Sequence, residues 1–206
     1  MNEETHERLK SIKQSFRLMM NGVAAQSMRE KGIVYKINWG VPLPLLKKQA
    51  EEIGPDYDLA IELWKEDIRE CKILAIMIMP IDRMLPEITD LWMEQTPTQE
   101  IAEVAAMYLY QKLEYAPVIA YEWIASDNIL YQLCGYNILS RLFSKGLEPN
   151  ERGINEFLDQ AKTALLGDNI SIKKAAINSI RHFADFGEEY EQIAKRAMKS
   201  LNLQLF

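Results

Sequence analysis

Glu122-Trp123-Ile124-Ala125-Ser126-Asp127-Asn128-Ile129 closes one amphipathic segment on a tryptophan and opens the next after a short polar turn. The same grammar recurs upstream, in Leu63-Trp64-Lys65-Glu66-Asp67 and Leu91-Trp92-Met93-Glu94-Gln95. Each is followed by a helical segment carrying a small residue, Ala75, Ala105 or Gly135, at intervals of 30 residues. Downstream, Leu166-Gly167-Asp168-Asn169-Ile170 repeats the Asp-Asn-Ile turn 41 residues after the first, with Ala176 as its small residue. A unit that hides its apolar face only against a neighbour repeats in this way, and the small residue lets two helices approach closely. Trp64, Trp92 and Trp123 are therefore expected as packing anchors, since an indole buries a large area.

Apolar residues recur at helical spacing almost throughout, and alternating strand-like runs are essentially absent. The breaks include Gly32, Asn38 to Pro44, Gly54-Pro55-Asp56, Pro80, Thr96-Pro97, Ala116-Pro117, Ser126-Asp127, Gly146 to Asn150, Gly167-Asp168 and Gly187. They divide the chain into about a dozen short helices, which predicts a single all-α domain over residues 1–206. Pairs of helices repeating at this spacing predict an α-α superhelix of HEAT-like repeats, a curved solenoid with uneven repeat lengths. Thr96-Pro97-Thr98-Gln99 reads as a capping box with proline at the first helical position. Asp56, Asp127 and Asp168 read as further caps. The run Ile73-Leu74-Ala75-Ile76-Met77-Ile78-Met79 is apolar all round, predicting a buried helix ended by Pro80.

With 48% hydrophobic and 26% charged residues, 206 residues suffice for a substantial core. Cys71 and Cys134 sit inside apolar helical patterns, far apart, and read as small buried hydrophobes in a reducing compartment. The acidic start, Met1-Asn2-Glu3-Glu4, lacks the features of a signal peptide, and the longest apolar run is too short to span a bilayer. A cytoplasmic protein with no membrane partner is expected. The formal net charge of −6 argues against indiscriminate grip on a polyanion. His6 and His182 are too few and too separate for a metal site, no Gly-rich phosphate loop occurs, and neither metal nor cofactor is implied.

Glu122 to Ile129 and Lys174-Ala175-Ala176-Ile177-Asn178-Ser179-Ile180-Arg181 resemble segments of the AlkD-like DNA alkylation repair family, a HEAT-like repeat DNA glycosylase superfamily. Gly40-Val41-Pro42-Leu43-Pro44-Leu45-Leu46, Leu59-Ala60-Ile61-Glu62-Leu63-Trp64 and Glu70 ahead of Ile73-Leu74-Ala75 fit that family's opening pattern, so the resemblance runs from about residue 30 onward. It implies a concave face that holds duplex DNA, in enzymes that release positively charged alkylated purines. That chemistry asks for a carboxylate near the sugar and aromatic faces for a cationic base.

Carried over residue by residue, the family's Trp-x-x-x-Asp pair falls on Gln99 and Glu103, its arginine on Leu133, and its second tryptophan on Asn178, while Lys174 and Arg181 match. The resemblance thus implies Glu103 as the candidate catalytic acid and Gln99, Leu133 and Asn178 as pocket candidates. From the residues themselves, Glu103 reads first as an ordinary solvated or structurally paired helix glutamate. Lys173, Lys174 and Arg181 are candidate DNA contacts, because no acid interrupts Lys173 to His182; a solvated helix face fits the same pattern. Tyr108, Tyr110, Tyr131 and Tyr136 read either as a groove for unstacked bases or as packing. The expected function is weak or structure-specific DNA binding without ordinary alkylpurine glycosylase activity. The alternatives are an active glycosylase using Glu103 and a protein-binding scaffold, so the expected partner is DNA or protein.

Overall fold

Twelve α-helices account for nearly all regular structure in the computed structural model, which describes residues 3–201. Met1 and Asn2, part of the acidic start, lie outside the described residues. The chain divides into two compact units, residues 1–109 and 110–206. The first holds α1 (Glu3–Leu18), α2 (Gly22–Glu30), α3 (Leu43–Ile53), α4 (Tyr57–Lys65), α5 (Arg69–Ile78), α6 (Pro86–Glu94) and α7 (Gln99–Tyr108). The second holds α8 (Ala116–Ile124), α9 (Ile129–Ser144), α10 (Glu151–Leu166), α11 (Ile170–Ala184) and α12 (Glu188–Met198). Extended pairing among the described residues amounts to one isolated parallel bridge between Ile37 and Ile68. No helix among them is long and apolar enough to cross a membrane.

The helix starts follow cap chemistry, with some expected caps displaced by a residue or two. Asp56 caps α4 as expected, its carboxylate accepting from the Leu59 N–H at 3.0 Å. Asn128 and Asn169, each one residue beyond the expected aspartate, cap α9 and α11 by accepting from Leu130 and Ile172. In both turns two short acceptors stand side by side, and the one adjoining the first helical residue reaches the orphan N–H. α7 begins two residues later than the capping box predicts: Thr98 is its cap, and Pro97 precedes the helix. Buried Thr96 instead donates back to the Trp92 carbonyl at 2.8 Å, which finishes α6.

In the first unit α5 is the central element, packed against α3, α4 and α7. Its apolar run is buried as expected except at half-buried Met77, but Arg69, Glu70 and Lys72 in its first turn are buried as well. Trp64 and Trp92 are buried and stack face to face at 4.2 Å with planes 6° apart, so the tryptophans that close α4 and α6 meet in one column.

In the second unit α9 packs against α8 and α11, and α11 also packs against α10 and α12. Gly135 sets the α8–α9 distance: a Cβ there would lie 2.8 Å from the Ala120 carbonyl oxygen and 2.9 Å from the Ile124 nitrogen. This is the close approach expected of the small residue after Trp123, enforced by backbone atoms that cannot swing aside. Behind it Phe143, Phe157, Phe183, Phe186 and Tyr190 form a continuous cluster of edge-to-face and tilted rings. Tyr110 and Tyr136 are fully buried and Tyr131 packs edge-on against Trp123, so these three tyrosines serve packing and not an open groove.

Candidate nucleic-acid interface

In the second unit two packed helices carry cations and no acid. Neither α9 nor α11 contains an Asp or Glu, while together they carry Arg141, Lys173, Lys174, Arg181 and His182. The neighbouring helices are mixed: α10 carries Glu151, Glu156 and Asp159 with Arg152 and Lys162, and α12 carries Glu188, Glu189 and Glu191 with Lys195 and Arg196; Glu122 lies on α8, and Asp127, Asp168 and Asp185 lie in the turns that flank α9 and α11. α9 and α11 pack directly on each other.

Within α11 the burial pattern selects which cations are exposed. Ile172, Ala175, Ala176, Ser179, Ile180 and Phe183 face inward, leaving Lys174, Asn178 and Arg181 exposed at i, i+4 and i+7. Seven residues of helix span about 10 Å, so Lys174 and Arg181 are spaced to meet different phosphates of one strand. Lys173, half-buried, lies on the adjoining stripe, and Arg141 is exposed near the end of α9.

A polar seam fixes α9 against α11 beneath these cations. The Asn178 side-chain amide donates to Ser140 Oγ at 2.8 Å, and Ser140 Oγ is 2.8 Å from His182 Nδ1. Ser179 Oγ lies 2.8 Å from the carbonyls of both Tyr136 and Ala175. Ser140 is 2% exposed, and neither helix supplies a carboxylate to orient His182. The pair therefore reads as an interhelical lock and not as a nucleophile with its base.

The candidate acid stands elsewhere, in the first unit. Glu103 is exposed on α7 and accepts a 2.8 Å hydrogen bond from Gln99 Nε2, one turn earlier. The two residues named for a pocket and its acid thus pair with each other on an open helix face. Leu133 is 1% exposed within the core of the second unit, and its carbonyl accepts from Asn137.

A family model for the DNA alkylation repair enzymes matches residues 12–200. This chain belongs to the DNA alkylation repair enzyme family. A solved structure described as representing "a new family of proteins related to the HEAT-like repeat DNA glycosylases with affinity for branched DNA structures" superposes with a TM-score of 0.79, at 20% identity, over 92% of this chain and 83% of that one. That likeness establishes the HEAT-like helical-repeat fold. No curated protein matches the sequence.

The family member also contains a buried polar cluster that its sequence did not advertise. Arg69, 2% exposed, donates through Nε and Nη2 to both oxygens of Glu100 at 2.8 and 2.6 Å, and through Nη1 to the Val41 carbonyl and Glu70. Glu70, fully buried, accepts from the backbone N–H groups of Trp39 and Val41 at 3.2 Å each. Tyr35 closes the cluster by donating to Glu100 at 2.5 Å. Burial pushes the Glu100 carboxyl upward, but hydrogen bonds from Arg69 and Tyr35, with the Arg69 charge, outweigh it and hold the group below its ordinary range. Burial and the Glu100 charge raise the Tyr35 phenol. The cluster pins the segment between α2 and α3 to α5 and α7. At its tip Gly40 has φ +68°, and a Cβ there would sit 2.2 Å from the Asn21 carbonyl oxygen.

Nearby lies a cavity of about 230 Å³ bounded by Lys36, Asp67, Ile68, Lys72, Gln95 and Pro97 among others. A second hollow of about 310 Å³ lies between Lys47, Ala50, Met77 and Tyr108. No group of three or more His, Cys, Asp or Glu side chains that could hold a metal ion occurs among the described residues.

Proposed function

We propose that this member of the DNA alkylation repair family binds DNA through the α9–α11 surface, in a weak or structure-specific manner, and lacks ordinary alkylpurine glycosylase activity. The observation that carries the reading is the absence of any acid from two packed, cation-bearing helices. Within a chain of net charge −6, two packed helices hold Arg141, Lys173, Lys174 and Arg181 and no acid. Affinity for a phosphate backbone depends on local cation density, so a uniformly acidic protein and one with a confined basic face behave differently. The described affinity of the structural neighbour for branched DNA points the same way.

The state of Glu103 supports the part of this reading that concerns glycosylase chemistry. Stabilising a developing oxocarbenium ion requires a fixed carboxylate in a site that excludes water. Glu103 is exposed, paired to Gln99, and accompanied by no aromatic side chain at the preceding turn. Asn178, standing where the family resemblance implies a tryptophan, is occupied in the interhelical lock.

Duplex, nicked and branched DNA should be titrated with the purified protein while release of alkylated bases is followed in the same samples. Salt-sensitive binding with a preference for branched substrates and no base release is the expected result. Release that is abolished by Glu103→Gln would instead identify a working glycosylase. Absence of binding at low salt would turn the basic surface into a solvated helix face.

A further inference from the structure

Lys72 is the most unusual charge in the molecule. It is 7% exposed, its Nζ donates to the Trp64 carbonyl at the end of α4, and the same Nζ sits 4.3 Å above the centre of the Trp64 ring. No ion pair among the described residues includes it. An ammonium group has three hydrogens; one carbonyl and one ring face engage two of them. Burial lowers the Lys72 pKa, an effect that the charge of Asp67 only partly offsets. A buried cation without a carboxylate partner is costly, and proteins ordinarily neutralise it.

The space beside it is the cavity of about 230 Å³. Two cations and one carboxylate line it, Lys36, Lys72 and Asp67. Lys36 and Asp67 face each other at 3.5 Å on the exposed rim and cancel, which leaves the Lys72 charge over. Gln95 adds a donor: its Oε1 is taken by the Trp64 indole N–H at 2.9 Å, and its amide hydrogens have no partner among the hydrogen bonds of the described residues. Tyr35, also on the wall, is committed to Glu100 and Thr98. The inventory at the cavity is thus rich in donors and one positive charge in excess.

We propose that this cavity binds a small oxyanion, a carboxylate or a phosphate, with Lys72 as its buried counter-charge and Gln95 and Lys36 as further donors. A volume of about 230 Å³ accommodates such a group with a few attached carbon atoms. The anion supplies what the protein omits, a negative partner for Lys72 in a partly dry site. The site lies wholly in the first unit and does not depend on DNA binding by α9 and α11.

The Trp64 ring reports on occupancy, because an anion that draws Nζ away from it changes its emission. The full chain is titrated with sodium phosphate, and separately with acetate, against chloride at matched ionic strength. At least one of the two should give a saturable change in tryptophan emission, and chloride none. Lys72→Met, which keeps the stem packed against Trp64, should weaken that binding about tenfold or more, the scale of one hydrogen bond to a charged group. Gln95→Ala and Lys36→Ala should each weaken it about threefold; Lys36→Ala should leave the melting transition unchanged, while Gln95→Ala, which takes the acceptor from the buried Trp64 indole N–H, should lower it.

A wild-type protein without a saturable response to either anion overturns the proposal. So does undiminished affinity in Lys72→Met, or wild-type affinity in both rim variants should Lys72→Met fail to fold. An oligonucleotide with and without a 5′-phosphate separates the sources. Competition by the phosphorylated strand alone assigns the site to a strand terminus, and competition by neither assigns it to a free solute.

Discussion

The two units solve the same packing problem with opposite materials. In the first, the central helix α5 carries Arg69, Glu70 and Lys72 into the interior, and a loop is fastened to it through charges and backbone N–H groups. In the second, the interior is an aromatic cluster around Phe143, Phe157 and Phe183, and the charges are left outside, with α9 and α11 free of acids. The difference teaches where each unit's polar groups are committed. Arg69, Glu70 and Glu100 of the first are occupied with each other, whereas Arg141, Lys173, Lys174 and Arg181 enter no ion pair among the described residues.

The largest effects should come from removing the central member of each core. Arg69→Ala leaves Glu70 and Glu100 without their shared cation and should cost about 4 kcal/mol, as breaking buried pairs does. Urea unfolding followed by tryptophan emission measures this, since Trp39, Trp64 and Trp92 all lie in the first unit. Phe183→Ala should cost about 3 to 4 kcal/mol by leaving a cavity among the rings. Amide exchange should place that loss in α10, α11 and α12. If Arg69→Ala cost less than 1 kcal/mol, the contrast between a charged and an aromatic core would collapse.

Acid should sharpen the same contrast by a smaller amount. Glu100 has a folded pKa below its unfolded value near 4.3, so its contribution is fully present above that value and is lost as the pH falls through the folded pKa. Between pH 7 and pH 3 the tryptophan-reported midpoint should therefore fall more steeply in the wild type than in Glu100→Gln. Equal slopes would remove Glu100 from the account of acid sensitivity. The exposed pair of Lys48 and Glu52, 3.9 Å apart, marks the small end of the scale: Lys48→Ala should change stability by less than about 0.5 kcal/mol.

Much of this architecture was legible in the sequence because it rests on local periodicity. The tryptophan that closes α4, α6 and α8 and the small residue in the next helix describe a close approach that Gly135 makes physically necessary. Cap positions slipped where two acceptors stood in a row, as at Asp127-Asn128, because both satisfy the same local rule. The Arg69 cluster was not legible: Glu100 lies 31 residues away and Tyr35 comes from an irregular segment, so no spacing announces the pairing. At the candidate interface, the shared face of Lys174 and Arg181 follows from helical spacing alone. The lock between Ser140 and His182, 42 residues apart, and the participation of Arg141 required the packing of α9 on α11. Leu133 entered through family resemblance, and the structure places it in the core of the second unit.

The central claim is that α9 and α11 hold the phosphate backbone, and the salt dependence of binding to a branched DNA tests it most directly. With Lys174 and Arg181 both changed to alanine, the slope of log affinity against log salt should shrink by about two phosphate contacts, with affinity at low salt falling more than tenfold and the melting transition unchanged. Superimposable binding by wild type and variant across the salt series would contradict the account.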